Sequence, residues 1–314
     1  MDKKIAYQIV KQLISKTKPS FTEISESLEI SRPTLQNYLE DLKREKVINN
    51  FSININPNIQ PNLKHVIMEI KTNPKEPELV QKLSEIPQLQ MLDGIFGEFS
   101  LNAMFKFKNS AEFNEQLNLV DTIMAQSFFK KYQIIDTIKV YKTNGVKLSE
   151  INMVSYELDD LDYEILKILQ YSQEEKLIST YDIKNILKEN DKISVSQSTI
   201  YNRIKKMEES GIILNYSINF NPRKLGFLGK FIIRIKPIDP SQYDEIALDL
   251  ERKKEITHLY RIGSQFGLFG IVRVKQIQDY AGFLQELYNT NEVEDTFSNF
   301  VLDERIAFTN FSIP

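Results

Sequence analysis

The clearest gap in this sequence is cysteine, which is absent from all 314 residues. A chain without thiols can form no disulfide, no thiolate metal site and no cysteine nucleophile. Histidine is also scarce, because only His65 and His258 occur. We therefore predict no catalytic residue, no metal site and no cofactor.

Long hydrophobic runs and a strong excess of charge are missing as well. No apolar stretch approaches the roughly 18 residues of a membrane-spanning helix, and the N-terminal MDKKIAYQIVKQL is typical of an amphipathic helix rather than a signal peptide. The formal net charge is only −3, so the overall charge does not itself indicate a nucleic-acid partner. These features predict a cytoplasmic protein without membrane contact, and the apolar content of 41% supports well-packed cores.

What the chain does contain is a repeated segment. Residues 31–57, SRPTLQNYLEDLKREKVINNFSININP, align without a gap with residues 196–222, SQSTIYNRIKKMEESGIILNYSINFNP. The positions of the first segment that recur unchanged are Ser31, Thr34, Asn37, Ile48, Asn50, Ser52, Ile53, Asn54, Asn56 and Pro57. The offset of 165 residues is too long for a solenoid repeat and indicates two complete sets of domains in tandem.

Each copy is predicted to begin with three short helices and a strand. In the first copy, Lys3–Lys16 has the apolar spacing of a helix, and Ser20-Phe-Thr-Glu23 fits a capping box that opens a second helix. Ser31 opens a third helix, with Pro33 in its first turn. Apolar and polar residues then alternate over Phe51–Ile55, which indicates a half-buried strand. This order predicts a winged helix-turn-helix.

The remainder of each copy is predicted to follow the order β-α-β-β-α-β, which is the ferredoxin-like pattern. In the first copy the predicted strands are His65–Lys71, Leu89–Phe96, Leu101–Phe107 and Tyr132–Tyr141, and the helices are Glu76–Ile86 and Ser110–Gln126. In the second copy the strands are Leu228–Ile235, Thr257–Ile262, Leu268–Val274 and Glu294–Val301, and the helices are Ser241–Glu251 and Ile277–Tyr288. Asn144-Gly145 predicts a hairpin and one further strand.

The predicted fold class is α+β, with two winged helix-turn-helix domains alternating with two ferredoxin-like sandwich domains. The predicted boundaries are 1–57 and 156–222 for the winged helix-turn-helix domains, and 58–155 and 223–314 for the sensing and assembly domains.

The third helix of the second copy has the composition of a DNA-reading helix. Ile200, Ile204 and Met207 recur at helical spacing and are expected to face the core. The candidate DNA-binding residues on and beside the opposite face are Gln197, Ser198, Tyr201, Asn202, Arg203, Lys205 and Lys206. Polar side chains near the start of such a helix can read base edges while lysines hold phosphates. Any surface helix has a polar outer face, but the helix-turn-helix context favours DNA.

The equivalent helix of the first copy is less suited to phosphates. Arg32, Gln36 and Asn37 are candidate base readers near its start. Glu40 and Asp41, however, stand where Lys205 and Lys206 stand in the second copy. Because carboxylates repel phosphates, we predict that the two copies bind double-stranded DNA unequally.

The repeated segment also resembles a known family. SQSTIYNRIKKMEESGIILNYSINFNPRKLGF resembles the recognition helix, wing and linker of the Lrp/AsnC (feast/famine) family of transcription regulators, and LDDLDYEIL is similar to the opening of that family's first helix. Each of the two copies resembles one complete unit of this family, so that the resemblance extends over nearly the whole chain. It implies a sequence-specific DNA-binding regulator whose sandwich domains pair and bind a small effector such as an amino acid.

Two departures from the family pattern bear on assembly and on effector binding. Family members usually carry one unit per chain and dimerise, so the duplication implies an intrachain pseudo-dimer in which Phe51–Ile55 pairs with Tyr216–Phe220; a homodimer of the whole chain stays open. The family's sensing turn commonly runs Gly-x-x-Asp, whereas this chain has Gly97-Glu-Phe-Ser100 and Ser264-Gln-Phe-Gly267. Gly97, Ser100, Ser264 and Gly267 are the candidate effector-binding residues, although the missing aspartate favours simple β–β turns.

Two competing interpretations remain at this point. Siroheme decarboxylases resemble the same plan and use histidine in the sandwich domain, so His258 is a candidate for tetrapyrrole chemistry, although a lone histidine on a strand is more often structural. Alternatively, the overall acidity together with Glu40 and Asp41 is compatible with an assembly module whose helix-turn-helix units no longer bind DNA.

Overall fold

The structure, a computed structural model, describes residues 3–15, 17–59, 62–151, 155–173, 177–190, 193–306 and 308–313. Its elements confirm the predicted α+β fold class and the predicted order in both copies. No helix within these ranges is both long and apolar enough to cross a membrane.

In the part of the chain that the structure describes, the first copy has five α-helices and six strands. These are α1 (Lys3–Leu13), α2 (Phe21–Ser27), α3 (Arg32–Arg44), β1 (Ile48–Ile55), β2 (Lys64–Lys71), α4 (Pro77–Ser84), β3 (Leu89–Ile95), β4 (Leu101–Phe107), α5 (Ser110–Ala125), β5 (Lys131–Thr143) and β6 (Val146–Lys147). Asn144 and Gly145 connect β5 and β6 with φ angles of 49° and 76°. Two consecutive positive φ angles are typical of the hairpin turn that Asn-Gly predicts.

Over its described residues, the second copy repeats this order with five α-helices and five strands. These are α6 (Asp160–Tyr171), α7 (Thr180–Asn190), α8 (Gln197–Glu209), β7 (Ile213–Phe220), β8 (Gly229–Pro237), α9 (Tyr243–Arg252), β9 (Ile256–Ile262), β10 (Leu268–Val274), α10 (Asp279–Tyr288) and β11 (Val293–Glu304). The ends of most elements lie within two residues of their predicted positions.

The elements divide into two compact units. The helix-turn-helix unit comprises Met1–Asn56, Glu150–Leu225 and Phe308–Pro314, and the sheet unit comprises Pro57–Ser149 and Gly226–Ala307. The tail from residue 308 therefore belongs with the helices rather than with the sandwich domain to which the sequence assigned it. Thr309 forms an isolated β-bridge with Phe220, and the rings of Phe311 and Phe220 lie 4.9 Å apart. The four domain boundaries stay predictions.

The helix-turn-helix unit contains one strand from each copy, and these two strands pair with each other. β1 and β7 run antiparallel, which is the intrachain pairing that the duplication predicts. Ser52 lies opposite Ser217, its own equivalent in the other copy, so a local two-fold axis passes between them. The amide of Asn54 donates a 2.8 Å hydrogen bond to Asn215 beside this point.

The sheet unit contains two β-α-β-β-α-β copies joined into one sheet. Eight antiparallel strands form a closed ring in the order β2, β4, β3, β11, β8, β10, β9 and β5, because β5 also pairs with β2. The last strand of each copy lies between the opening strand of its own copy and the second strand of the other copy. β5 pairs with β2 and β9, and β11 pairs with β8 and β3.

Side chains alternate across these strands, so each copy has one face toward its own helices and one toward the other copy. On β2, Val66, Met68 and Ile70 pack in one core with residues of α4 and α5. Ile67 points the other way, into a core that it shares with Ile232 of the second copy. The inner face therefore consists of contacts between the two copies.

Candidate nucleic-acid interface

Helix α8 presents a polar face to solvent. Ile200 and Met207 are fully buried and Ile204 is half-buried, so the apolar side lies inward as predicted. Six of the seven predicted DNA-binding side chains of this helix are exposed, namely Gln197, Ser198, Tyr201, Asn202, Lys205 and Lys206. This face has the two kinds of group that reading DNA requires, hydrogen-bonding groups near the helix start and cations toward its end.

The start of α8 is fixed by its cap. The hydroxyl of Ser196 accepts a 3.1 Å hydrogen bond from the amide of Thr199. The Ser196 hydroxyl also lies 2.7 Å from that of Ser198 and 2.8 Å from that of Thr199. The cap fixes the backbone of the first turn, and it therefore fixes the positions from which the exposed side chains of Gln197 and Ser198 extend.

Arg203 differs from the other candidates because it points toward α6. One guanidinium nitrogen lies 2.7 Å from Asp159 and 3.0 Å from Asp162, at the first turn of that helix. Asp159 and Asp162 also form the capping box of α6, and the hydroxyl of Tyr156 donates to Asp162. The hydrogen bond from Arg203 lowers the pKa of Asp159 below its usual value.

The corresponding helix of the first copy, α3, has a more acidic exposed face. Arg32, Gln36 and Asn37 are exposed near its start. The amide of Gln36 donates a 3.2 Å hydrogen bond to the carboxylate of Glu40, and Asp41 pairs with Arg44. Tyr38 stands where the second copy has Arg203, so α3 has no guanidinium at that position.

The predicted effector-binding residues lie in the two turns between second and third strands. In the first copy, Gly97 has a φ of 152°, and the hydroxyl of Ser100 accepts a 2.7 Å hydrogen bond from the amide of Thr72. In the second copy, the space beside Gly267 is filled by the stacked side chains of Arg261 and Tyr243. Ser264 closes the same turn by accepting a 3.1 Å bond from the Gly267 amide through its carbonyl oxygen.

The structure brings the two histidines to the same aromatic residue, which the sequence did not indicate. The rings of His65 and His258 lie 6.2 Å and 6.3 Å from the ring of Tyr260. Burial lowers the pKa of His65 to about 4 and that of His258 to about 3. Both imidazoles are therefore neutral near pH 7. Across the described ranges, no group of three or more His, Asp or Glu side chains could hold a metal ion.

These observations define a class, that of helix-turn-helix proteins with paired ferredoxin-like domains. Comparison with known proteins identifies the family. The Lrp/AsnC ligand binding domain family matches residues 230–310, and the Mga helix-turn-helix domain family matches residues 1–64. The HTH-type transcriptional regulator FL11 of Pyrococcus abyssi is 33% identical over 157 residues, which cover 50% of this chain and 97% of that protein. The chain belongs to the Lrp/AsnC family of transcription regulators.

Two further similarities describe the extent of the likeness. The HTH-type transcriptional regulator LrpA of Mycobacterium tuberculosis is 29% identical over 109 residues, which cover 35% of this chain and 72% of LrpA. The crystal structure of the siroheme decarboxylase NirDL matches 99% of this chain and 95% of that chain with a TM-score of 0.61 and 12% identity. At that identity the likeness to NirDL is one of fold.

Proposed function

We propose that this protein is a cytoplasmic, sequence-specific transcription regulator in which one chain supplies two DNA-reading heads. The observation that carries the proposal is the exposed polar face of α8, whose first turn is capped and whose last turns present Lys205 and Lys206. Side chains near the start of such a helix can reach base edges in the major groove, and cations further along can hold phosphates.

The exposed side chains of α8 have distinct roles in this proposal. Gln197, Ser198, Tyr201 and Asn202 contact bases or the adjoining backbone, and the two lysines contact phosphates. Arg203 orients α8 against α6 through its two carboxylate partners rather than meeting DNA. In the first copy, Arg32, Gln36 and Asn37 form a weaker head, because Glu40 and Asp41 lie where phosphates would approach.

The test is a charge exchange between equivalent positions of the two heads. Replacing Lys205 and Lys206 with glutamate is expected to weaken binding to a genomic DNA fragment recovered by pull-down with this protein. It should also reduce the slope of log affinity against log salt by roughly 0.9 for each lysine that contacts a phosphate. Fluorescence anisotropy at several salt concentrations measures both effects.

The matched controls lie on α3. Replacing Glu40 and Asp41 with lysine is expected to strengthen binding and to steepen the salt dependence, whereas replacing Lys43 and Arg44 with alanine should weaken binding less than the α8 change does. Equal losses from the two heads would contradict the unequal roles, and unchanged binding after the α8 change would contradict the proposal itself.

Effector binding is a finer part of this proposal. Gly97 and Ser100 in the first copy and Ser264 and Gly267 in the second are the positions at which an amino-acid effector would act. The internal hydrogen bonds of the first turn, and the Arg261–Tyr243 stack beside Gly267, support a structural role for both turns. Calorimetric titration with the twenty amino acids tests this part separately from DNA binding.

A second candidate function is tetrapyrrole chemistry. It is favoured by the likeness in fold, over nearly the whole chain, to NirDL, of which a co-complex with an iron-uroporphyrin III analogue is known. The burial of His258, which is 7% exposed, weighs against its acting on a bound substrate. An absorbance titration with an iron porphyrin distinguishes the candidates, since a spectral shift that His258→Ala abolishes would support the enzyme.

A further inference from the structure

The two copies carry opposite charges at one equivalent position of the sheet unit. Glu69 on β2 and Arg234 on β8 are 165 residues apart, the same offset as the repeated segment. Each lies in the first strand of its copy, opposite the second residue of the third strand: Glu69 opposite Asn102, and Arg234 opposite Phe269. Sequence offset and strand register therefore agree that these two residues are equivalent.

Glu69 and Arg234 form an ion pair with each other inside the sheet unit. Their side chains are only 2% and 12% exposed, so solvent screens this pair weakly. When two equivalent residues touch, the contact lies on the local two-fold axis that relates the copies. A pairing of two identical copies would therefore place Glu69 against a second Glu69, or Arg234 against a second Arg234.

The residues beside Glu69 and Arg234 also differ between the copies, and each suits the charge that it contacts. Gln133, across from Glu69 on β5, donates a hydrogen bond to its carboxylate. Phe297, across from Arg234 on β11, places its ring centroid 5.3 Å from the guanidinium carbon. An amide donor suits an anion, and an aromatic face suits a cation. Each charge is thus supported by its own copy while it meets the opposite charge of the other copy.

A second pair of equivalent sites also differs between the two copies. Where β11 meets β3, Lys230 lies 2.7 Å from Asp93 and 3.3 Å from Glu304, and Glu304 accepts two hydrogen bonds from Arg273. All four side chains are buried.

The symmetry-related place, where β5 meets β9, keeps a cation but has aromatic rings in place of the Lys230–Asp93 pair. Lys106 lies opposite His65 as Arg273 lies opposite Lys230, and Val140 lies opposite Tyr260 where the first site has Glu304 opposite Asp93. His65 is equivalent to Lys230 by the same offset of 165, and Tyr260 and Asp93 are each the fifth residue of their strand. The rings of His65 and Tyr260 lie 6.2 Å apart. Self-pairing of the second copy would place Lys230 opposite Tyr260 and leave it only Glu304 of its own copy. Self-pairing of the first copy would place Asp93 opposite His65. The buried Lys230–Asp93 pair would therefore be lost in both cases.

We propose that these residues select the pairing partner: the sheet surface of the first copy accepts the second copy and rejects a copy of its own kind, and the reverse holds for the second copy. Buried like charges repel, and a buried charge that loses its partner is strongly destabilising. The duplication has thus produced two halves that are complementary rather than interchangeable. This inference concerns pairing alone and holds whether or not the chain binds DNA.

The experiment uses full-length chains that carry reversed charges. Glu69→Arg and Arg234→Glu are made singly and combined, and the two single variants are also co-expressed with different affinity tags. Each single variant alone is expected to melt several degrees below the native chain, because it buries two like charges. The combined variant is expected to recover most of that loss as a single-chain species, because it restores an opposite pair with its direction reversed.

Co-expression provides the decisive measurement. If the halves of the two single variants exchange between chains, both resulting contacts regain opposite charges. We therefore expect the differently tagged chains to co-purify as a one-to-one dimer, several-fold above native chains that carry the same tags. Co-purification at the native background, or a combined variant no more stable than the weaker single variant, would overturn the proposal.

A milder set of variants covers the case in which charge reversal prevents folding. Glu69→Gln and Arg234→Gln keep the size of the side chains approximately and remove one charge each. Each is expected to lower the melting temperature, and the double variant should be no less stable than the weaker single variant, since its partner charge is already gone. Strictly additive losses would show that the two side chains act independently and would refute partner selection.

Discussion

Single residues show how burial sets the charge of the two histidines. His258 is buried in the sheet unit and His65 is half-buried, both beside Tyr260, where water solvates an imidazolium poorly. Lys230 and Arg273 lower the pKa of His258 further, and Lys106 lowers that of His65. A structural role for both neutral rings accounts for their burial without chemistry.

The pH dependence of stability follows from these shifts. Because the folded-state pKa values of about 4 and about 3 lie below the ordinary histidine pKa of 6.5, the unfolded chain binds more protons than the folded chain as the pH falls below 6.5. The free energy of unfolding should therefore decrease from pH 7 to pH 5, with a slope approaching about 1.4 kcal/mol per pH unit for each histidine. Urea unfolding at several pH values measures this slope.

The control for this prediction is the double replacement of His65 and His258 with glutamine. It should flatten the slope between pH 6.5 and pH 5. Glu304 stays ionised throughout this range, because burial raises its pKa but Lys230 and Arg273 together outweigh burial and hold the pKa at about 2. An unchanged slope would mean that other groups dominate the proton uptake.

At the scale of secondary-structure elements, helix α8 is held by its contact with α6. The sequence places Arg203 among basic residues of an outward helix, and only the packing of α6 against α8 shows that its charge is already matched by Asp159 and Asp162. Helical periodicity gives the direction in which a side chain points around the helix axis. It does not show which neighbouring helix lies in that direction. This is why the role of Arg203 could not be predicted from the sequence.

A double-mutant comparison tests the positioning role of Arg203. Arg203→Ala and the pair Asp159→Asn with Asp162→Asn should each weaken specific DNA binding by a similar factor, and the combination should be no worse than either. The salt slope should stay unchanged. If Arg203 instead held a phosphate, its loss would reduce the slope by roughly 0.9 and removal of the two carboxylates would strengthen binding. Anisotropy titrations distinguish these outcomes.

At the scale of the whole molecule, the duplication pairs two equivalent copies within each unit of one chain and leaves the copies free to diverge. In a homodimer, two equivalent residues that meet on a two-fold axis are identical. Within the helix-turn-helix unit of this chain Ser52 faces Ser217, whereas within the sheet unit Glu69 faces Arg234. The first pair kept its symmetry and the second did not. The divergence extends to helices α3 and α8, where Glu40 and Asp41 of the first copy occupy the positions of Lys205 and Lys206 of the second.

One chain should therefore occupy two half-sites with unequal strength. We expect a nuclease footprint with two protected regions whose centres lie about 34–36 Å apart along the DNA, or a multiple of that spacing. The region contacted through α8 should persist to a higher salt concentration. Light scattering of the complex should give one chain per pair of half-sites, and two chains per pair would contradict the single-chain arrangement.

The elements, their order and the duplication can all be predicted from the amino-acid sequence alone. Apolar periodicity, capping residues and the Asn144-Gly145 turn are local signals, and they placed most strand and helix ends within about two residues of the structure. The exposed face of α8 could also be predicted, because Ile200, Ile204 and Met207 recur with the helical period and share the inward face, so the polar residues on the opposite side of the helix point outward.

Apart from the pairing of β1 with β7, which the duplication predicted, the contacts between distant residues are set by the three-dimensional fold. Three features join residues that lie far apart in the chain. They are the ring of eight strands, the packing of the tail from residue 308 with the helix-turn-helix unit, and the ion pair of Glu69 with Arg234. Periodicity shows which side chains turn inward, but it contains no information about the partner on the facing surface. That partner is fixed by packing and charge neutralisation in three dimensions, where a buried ion is stable only beside its counter-ion.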